Sequence, residues 1–85
     1  MNFLKYDFDL SAQDAVKVSL SGQANVRLMD YNNFQNYKNG RAHKYYGGLV
    51  KVTPYVIQPP YGGRWYLAID LGGYSGKISA SVSII

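Results

Sequence analysis

From Leu4 to Leu10 every even position is apolar, while the odd positions carry Lys5, Asp7 and Asp9. This period of two marks a strand with one buried face. Ser11 to Asp14 breaks the pattern with small and polar residues that compete for backbone hydrogen bonds, so a turn is predicted there. A second alternation follows, with Val16, Val18 and Leu20 against Lys17, Ser19 and Ser21. In the next run, Asn25 to Asp30, Val26 and Leu28 alternate with Arg27 and Met29. The link between these two runs is so short that an antiparallel hairpin is predicted.

The pattern then changes. Asp30 offers a short acceptor side chain suited to a helix N-cap, and Phe34 and Tyr37 lie three residues apart. Asn32, Asn33, Asn36 and Asn39 weaken helical propensity, so only a short helix near residues 31–38 is predicted. Asn39-Gly40 ends it, the glycine supplying a left-handed C-cap. Phe34 and Tyr37 are expected to plug one edge of the core. After the basic and aromatic stretch Arg41 to Tyr46, a strand from Leu49 to Ile57 is interrupted by Pro54, which cannot donate to a ladder, and two short pieces are expected. Trp65, Leu67, Ile69 and Leu71 share one face of a strand from Arg64 to Leu71. The glycines at 72, 73 and 76 suggest a tight reversal. Ile78, Ala80, Val82 and Ile84 then alternate with Lys77, Ser79, Ser81 and Ser83 in a last strand, Lys77 to Ile85.

Strands about every ten residues, separated by turn signals, predict an all-β fold: a small antiparallel β-sandwich of jelly-roll type with one short helix. Its core is expected to include Leu4, Tyr6, Val18, Leu20, Val26, Leu28, Trp65, Leu67, Ile69, Ile78 and Val82. The 85 residues allow one domain, 1–85, with one core.

Composition narrows the chemistry. There is no cysteine and no glutamate, which excludes disulfides, a thiolate nucleophile and sulfur-ligated metal. A single histidine, His43, has no serine or aspartate at a spacing that suggests a triad, so no catalytic residues and no enzymatic activity are expected. Asp7, Asp9, Asp14, Asp30 and Asp70 form no ligand-spaced cluster, and neither a metal nor a cofactor is expected. No apolar h-region opens the chain and no run approaches a membrane span, so a cytoplasmic protein without membrane contact is expected.

The net charge of +4 is uneven. Residues 1–30 hold three bases and four acids, whereas residues 31–69 hold Lys38, Arg41, Lys44, Lys51 and Arg64 with no acid. That segment should set up a positive potential on the face it occupies. Its densest part interleaves cations with rings, and the candidate ligand-binding residues are Asn36, Lys38, Arg41, His43, Lys44 and Tyr45. The function expected is non-catalytic recognition of an anionic or polar partner, foremost a protein with an acidic surface. Two alternatives remain: single-stranded nucleic acid, whose bases stack on rings while phosphates meet cations, and a structural subunit self-associating through a strand edge near Pro54. The oligomeric state is not legible.

The runs ANVRLMDYNNFQNYKNGRAHKYYGG and GGRWYLAIDLGGYSGKISASVSI resemble a bacterial family, the domain of unknown function eighteen eighty-three, over nearly the whole chain. The resemblance implies small bacterial proteins, sometimes found beside TIR signalling domains, with no assigned activity and no functional residue to carry over. More loosely, the late strand looks like those of jelly-roll binding modules of the Golgi-dynamics and pre-peptidase C-terminal types. That likeness implies a β-sandwich that binds without doing chemistry.

Overall fold

The computed structural model describes residues 3–85. Among these residues seven strands and one helix follow the order β1 (Leu4–Leu10), β2 (Val16–Leu20), β3 (Ala24–Met29), α1 (Tyr31–Lys38), β4 (Tyr46–Val50), β5 (Tyr55–Ile57), β6 (Gly63–Asp70) and β7 (Ala80–Ile84). They form two antiparallel sheets, a four-stranded one in the order β1-β6-β3-β4 and a three-stranded one in the order β5-β2-β7. The all-β sandwich with one short helix is thus the architecture of the chain.

Every connection except the one carrying α1 passes from one sheet to the other. This corrects the predicted β2–β3 hairpin. β2 pairs with β5 and β7, while β3 pairs with β4 and β6. Val16 and Val18 therefore face Val26 and Leu28 across the core, and all four are fully buried. Ser21 to Gln23 turns a corner between layers, which a short polar link can do as readily as it closes a hairpin. The glycine-rich stretch after β6 likewise spans the layers. Gly72 and Gly73 have φ of 66° and 89°, and the Tyr74 N–H bonds the Leu71 carbonyl at 3.3 Å, but β6 and β7 are not neighbours.

The interrupted strand also divides between layers. Its first piece begins earlier than expected, at Tyr46, and belongs to the larger sheet; its second, after Pro54, lies at an edge of the smaller one. The last strand begins at Ala80 rather than Lys77, and its register sets Ala80, Val82 and Ile84 opposite Leu20, Val18 and Val16.

The core forms as the alternation predicts. Val18, Val26, Leu28, Trp65, Leu67 and Ile69 are buried, and Leu4, Tyr6, Leu20, Ile78 and Val82 pack against them partly exposed. Trp65 is 1% exposed, with its indole N–H donating to the Tyr61 carbonyl at 3.1 Å. That bond removes the cost of burying a polar group along with the ring.

Phe34 and Tyr37 do not plug an edge of this core. With Met29, Ala68, Phe3 and Tyr66 they make a second cluster on the outer face of the four-stranded sheet, where α1 lies. The Phe34 and Tyr66 rings stack at 5.0 Å, and Phe3 meets Tyr37 edge-on at 5.1 Å. The helix is held at both ends, as its weak propensity requires. The Asp30 carboxylate accepts the Asn33 N–H at 2.8 Å. At the other end Gly40 adopts φ 73°, its N–H bonding the Tyr37 carbonyl at 3.2 Å and that of Arg41 the Asn36 carbonyl at 2.7 Å, a Schellman motif. No helix among the described residues is long and apolar enough to cross a membrane.

Candidate functional site

The α1–β4 connection rests on the outer face of the larger sheet, where β3 presents Asn25 and Arg27 and β6 presents Ala68 and Asp70. The register places Asn25 opposite Asp70 and Arg27 opposite Ala68, so Arg27 lies diagonal to the carboxylate. Asp70 is 1% exposed, the one buried charged side chain among the described residues. A charge at such depth has to be fully paired, and this one is. Oδ1 accepts from the Asn25 amide at 3.0 Å and from the Gly72 N–H at 2.8 Å. Oδ2 accepts from the Tyr37 hydroxyl at 2.7 Å and from the Arg27 guanidinium.

Two donors to each oxygen use up the carboxylate's lone-pair positions. Burial by itself raises the Asp70 pKa, but the hydrogen bonds from Asn25, Tyr37 and Gly72 and the Arg27 charge outweigh it and hold the carboxyl below its usual range. Tyr37 is pushed the other way. Its burial, then its bond to Asp70 and that residue's negative charge, raise the phenol above the ordinary tyrosine value. The network is therefore a locked ion pair with a neutral phenol, chemically suited to fastening three elements together rather than to moving protons.

Over this anchor lies the aromatic part of the connection. The Arg27 guanidinium carbon sits 5.3 Å from the Tyr37 ring centroid and 5.1 Å from that of Tyr45, between two π faces. His43 meets Tyr37 edge-on at 5.2 Å and Tyr45 at 5.7 Å. Its Nδ1 lies 2.9 Å from the Arg41 carbonyl, which can only accept, so Nδ1 carries the proton. That nitrogen's partner is not a carboxylate, and the arrangement is not a triad. No group of three or more metal-ligating side chains occurs among the described residues.

The residues singled out in sequence lie on this one segment but play different parts. Half-buried Asn36 provides the carbonyl that caps the helix. Lys38 is exposed, with its ammonium 5.7 Å from the Phe34 ring. Lys44 is fixed by its backbone, whose N–H bonds the Asn33 side chain at 2.8 Å, while its own side chain is exposed like that of Arg41. Neither Arg41 nor Lys44 takes part in an ion pair among the described residues.

Arg64 behaves otherwise and corrects the picture of an unneutralised central segment. It bonds Asp7 at 2.8 Å and lies 3.3 Å from Asp9, on the neighbouring strand β1. Its counter-charges come from outside the acid-free segment. What sequence reasoning missed is the anchor: Asn25, Arg27, Tyr37 and Asp70. The available signal was Asp70 itself, a lone acid closing the apolar run Trp65 to Ile69.

A family model described as a domain of unknown function, DUF1883, matches residues 1–85. No curated protein and no solved structure matches the chain.

Proposed function

The chain belongs to the DUF1883 family, whose description assigns no activity, and on that premise we propose, from the site, a non-catalytic recognition module whose α1–β4 connection meets an acidic surface of a partner protein. The observation carrying this reading is a contrast in how the arginines are spent. Arg27 and Arg64 are paired with carboxylates, whereas Arg41 is exposed and outside any ion pair among the described residues, close in sequence to the exposed Lys38 and Lys44. Cations on a connection fastened at Gly40, His43 and Lys44 present charge with little ordering cost on binding. Such rim charges steer association and weaken with salt.

Two observations favour this over the alternatives. The Tyr45 ring already holds the Arg27 guanidinium and lies against His43, which leaves less of it for stacking a nucleic-acid base. The edge near Pro54 belongs to β5, only three residues long, too short a ladder for self-association through that strand.

The test is affinity capture from the native cell with three forms of the chain: wild type, Arg41→Ala/Lys44→Ala, and Lys17→Ala/Lys51→Ala. Both double variants lower the formal net charge from +4 to +2. A partner bound by the wild type and the second variant but lost from the first supports the reading. A partner lost equally from both, or from neither, refutes it.

A further inference from the structure

Between the end of β6 at Asp70 and the start of β7 at Ala80, residues 71–79 cross from one sheet to the other. The alternation of Lys77 to Ser79 continues that of β7, yet Lys77 and Ile78 stand outside the ladder, and Ser79 is tied to Ser21, whose N–H bonds the Ser79 carbonyl at 2.9 Å. Beside this crossing lies a hollow of about 770 Å³, within the roughly 300–1,000 Å³ typical of small-molecule sites. Its apolar wall includes Leu4, Leu71 and Ile78, backed by the buried Ile69, with Tyr74, 83% exposed, and Lys77 on the crossing side. Among the described residues Lys77 is the one charged group lining it, and no carboxylate does. Lys77 is in no ion pair among those residues. The nearest acid in sequence, Asp70, has all four acceptor positions taken and offers Lys77 nothing.

We propose that this hollow binds a small amphipathic carboxylate, its apolar body against Leu4, Leu71 and Ile78 and its charged end at Lys77. Charge complementarity selects the class. A concave apolar wall favours a hydrocarbon or aromatic body, and one uncompensated cation at its margin favours a single negative charge over a neutral or cationic group. The Asp70–Gly72 bond fixes the start of the crossing and the bond from the Ser21 N–H to the Ser79 carbonyl fixes its end. This site shares no residue with the α1–β4 connection and stands independently of the partner proposed for it.

The probe is the fluorescent anion 1-anilinonaphthalene-8-sulfonate, displaced either by octanoate or by octanol, which has the same chain length without the charge. The wild type is expected to bind the probe and to release it at about tenfold lower octanoate than octanol, the preference that one charge-assisted contact supplies. Lys77→Ala and Lys77→Gln should bring the two ligands to within about twofold, Lys77→Arg should restore the preference, and Ile78→Trp should weaken both ligands by filling the hollow. Arg41→Ala/Lys44→Ala should behave as wild type. The proposal is overturned if the wild type does not bind the probe, if octanol displaces it as well as octanoate, if the lysine variants keep the wild-type preference, or if the Arg41/Lys44 variant loses it. Lys77 is exposed, so unchanged melting of its variants is expected and separates lost binding from lost fold.

Discussion

Asp70→Asn isolates the charge at the centre of the anchor while keeping its shape. The new amide can still accept from Asn25 and Gly72 through its oxygen, but its NH2 group then confronts the Arg27 guanidinium and the Tyr37 hydroxyl, which now donate to Oδ2. Breaking a buried pair by removing one partner costs about 3–5 kcal/mol, and the lower end, about 3 kcal/mol, applies because the Arg27 side chain keeps partial access to water; that access is 18%. Against a total of roughly 4–13 kcal/mol expected for a domain of this size, the loss is large. Urea unfolding followed by the fluorescence of the single tryptophan, Trp65, should show a midpoint lower by about 2 M for a slope of about 1.5 kcal/mol per M. The gap should also depend on pH. Because the folded carboxyl is held below its unfolded value, its stabilisation is complete above the unfolded pKa of about 3.9 and is lost as pH falls below that through the folded pKa. Wild type and variant should therefore converge in acid. An unchanged midpoint at pH 7, or no convergence in acid, would refute the assignment of Asp70 as a charged anchor.

The other expectations are simpler. Trp65→Ala should cost about 3–5 kcal/mol in the same assay, since the ring is fully enclosed; a midpoint near wild type contradicts its burial. Gly47 has φ 120°, and a Cβ there would lie 2.2 Å from the Val26 carbonyl oxygen, so Gly47→Ala should lower stability by about 2 kcal/mol or more, and a neutral result in thermal melting contradicts that approach. Tyr37 holds its proton more tightly when folded, so its share of stability is intact below the unfolded tyrosine value of about 10 and is lost as pH rises from there towards the folded value. Tyr37→Phe should accordingly flatten the alkaline part of the stability curve, and a curve that keeps its wild-type slope above pH 10 argues against the raised phenol.

What could be read in the chain, and what could not, follows from the range of each interaction. The alternation in Leu4–Leu10, Val16–Leu20 and Trp65–Ile69 names the buried face of each strand because side chains obey a period of two whatever the sheet. The helix after Asp30 was legible for a similar reason, its cap lying within three residues of the N–H it bonds. Alternation does not say which sheet a strand joins, so Ser21 to Gln23 read as a hairpin although it crosses the core. It also says which side Arg27 and Asp70 face without saying that they meet, 43 residues apart, through a register that only the folded sheet defines. The cationic stretch around Arg41 was visible from charge alone. That Arg64 leaves it to join Asp7 and Asp9 was not, since those partners lie on a strand more than fifty residues earlier.

The central claim is that a connection fastened over a buried ion pair offers its cations to a protein partner. Amide hydrogen exchange of the chain, free and in complex with the partner captured by the wild type, tests it most directly. Slowed exchange on binding, concentrated in residues 36–46 and weakened by added salt, is the predicted result. Protection confined to the outer face of the β5-β2-β7 sheet, with residues 36–46 unchanged, would contradict it.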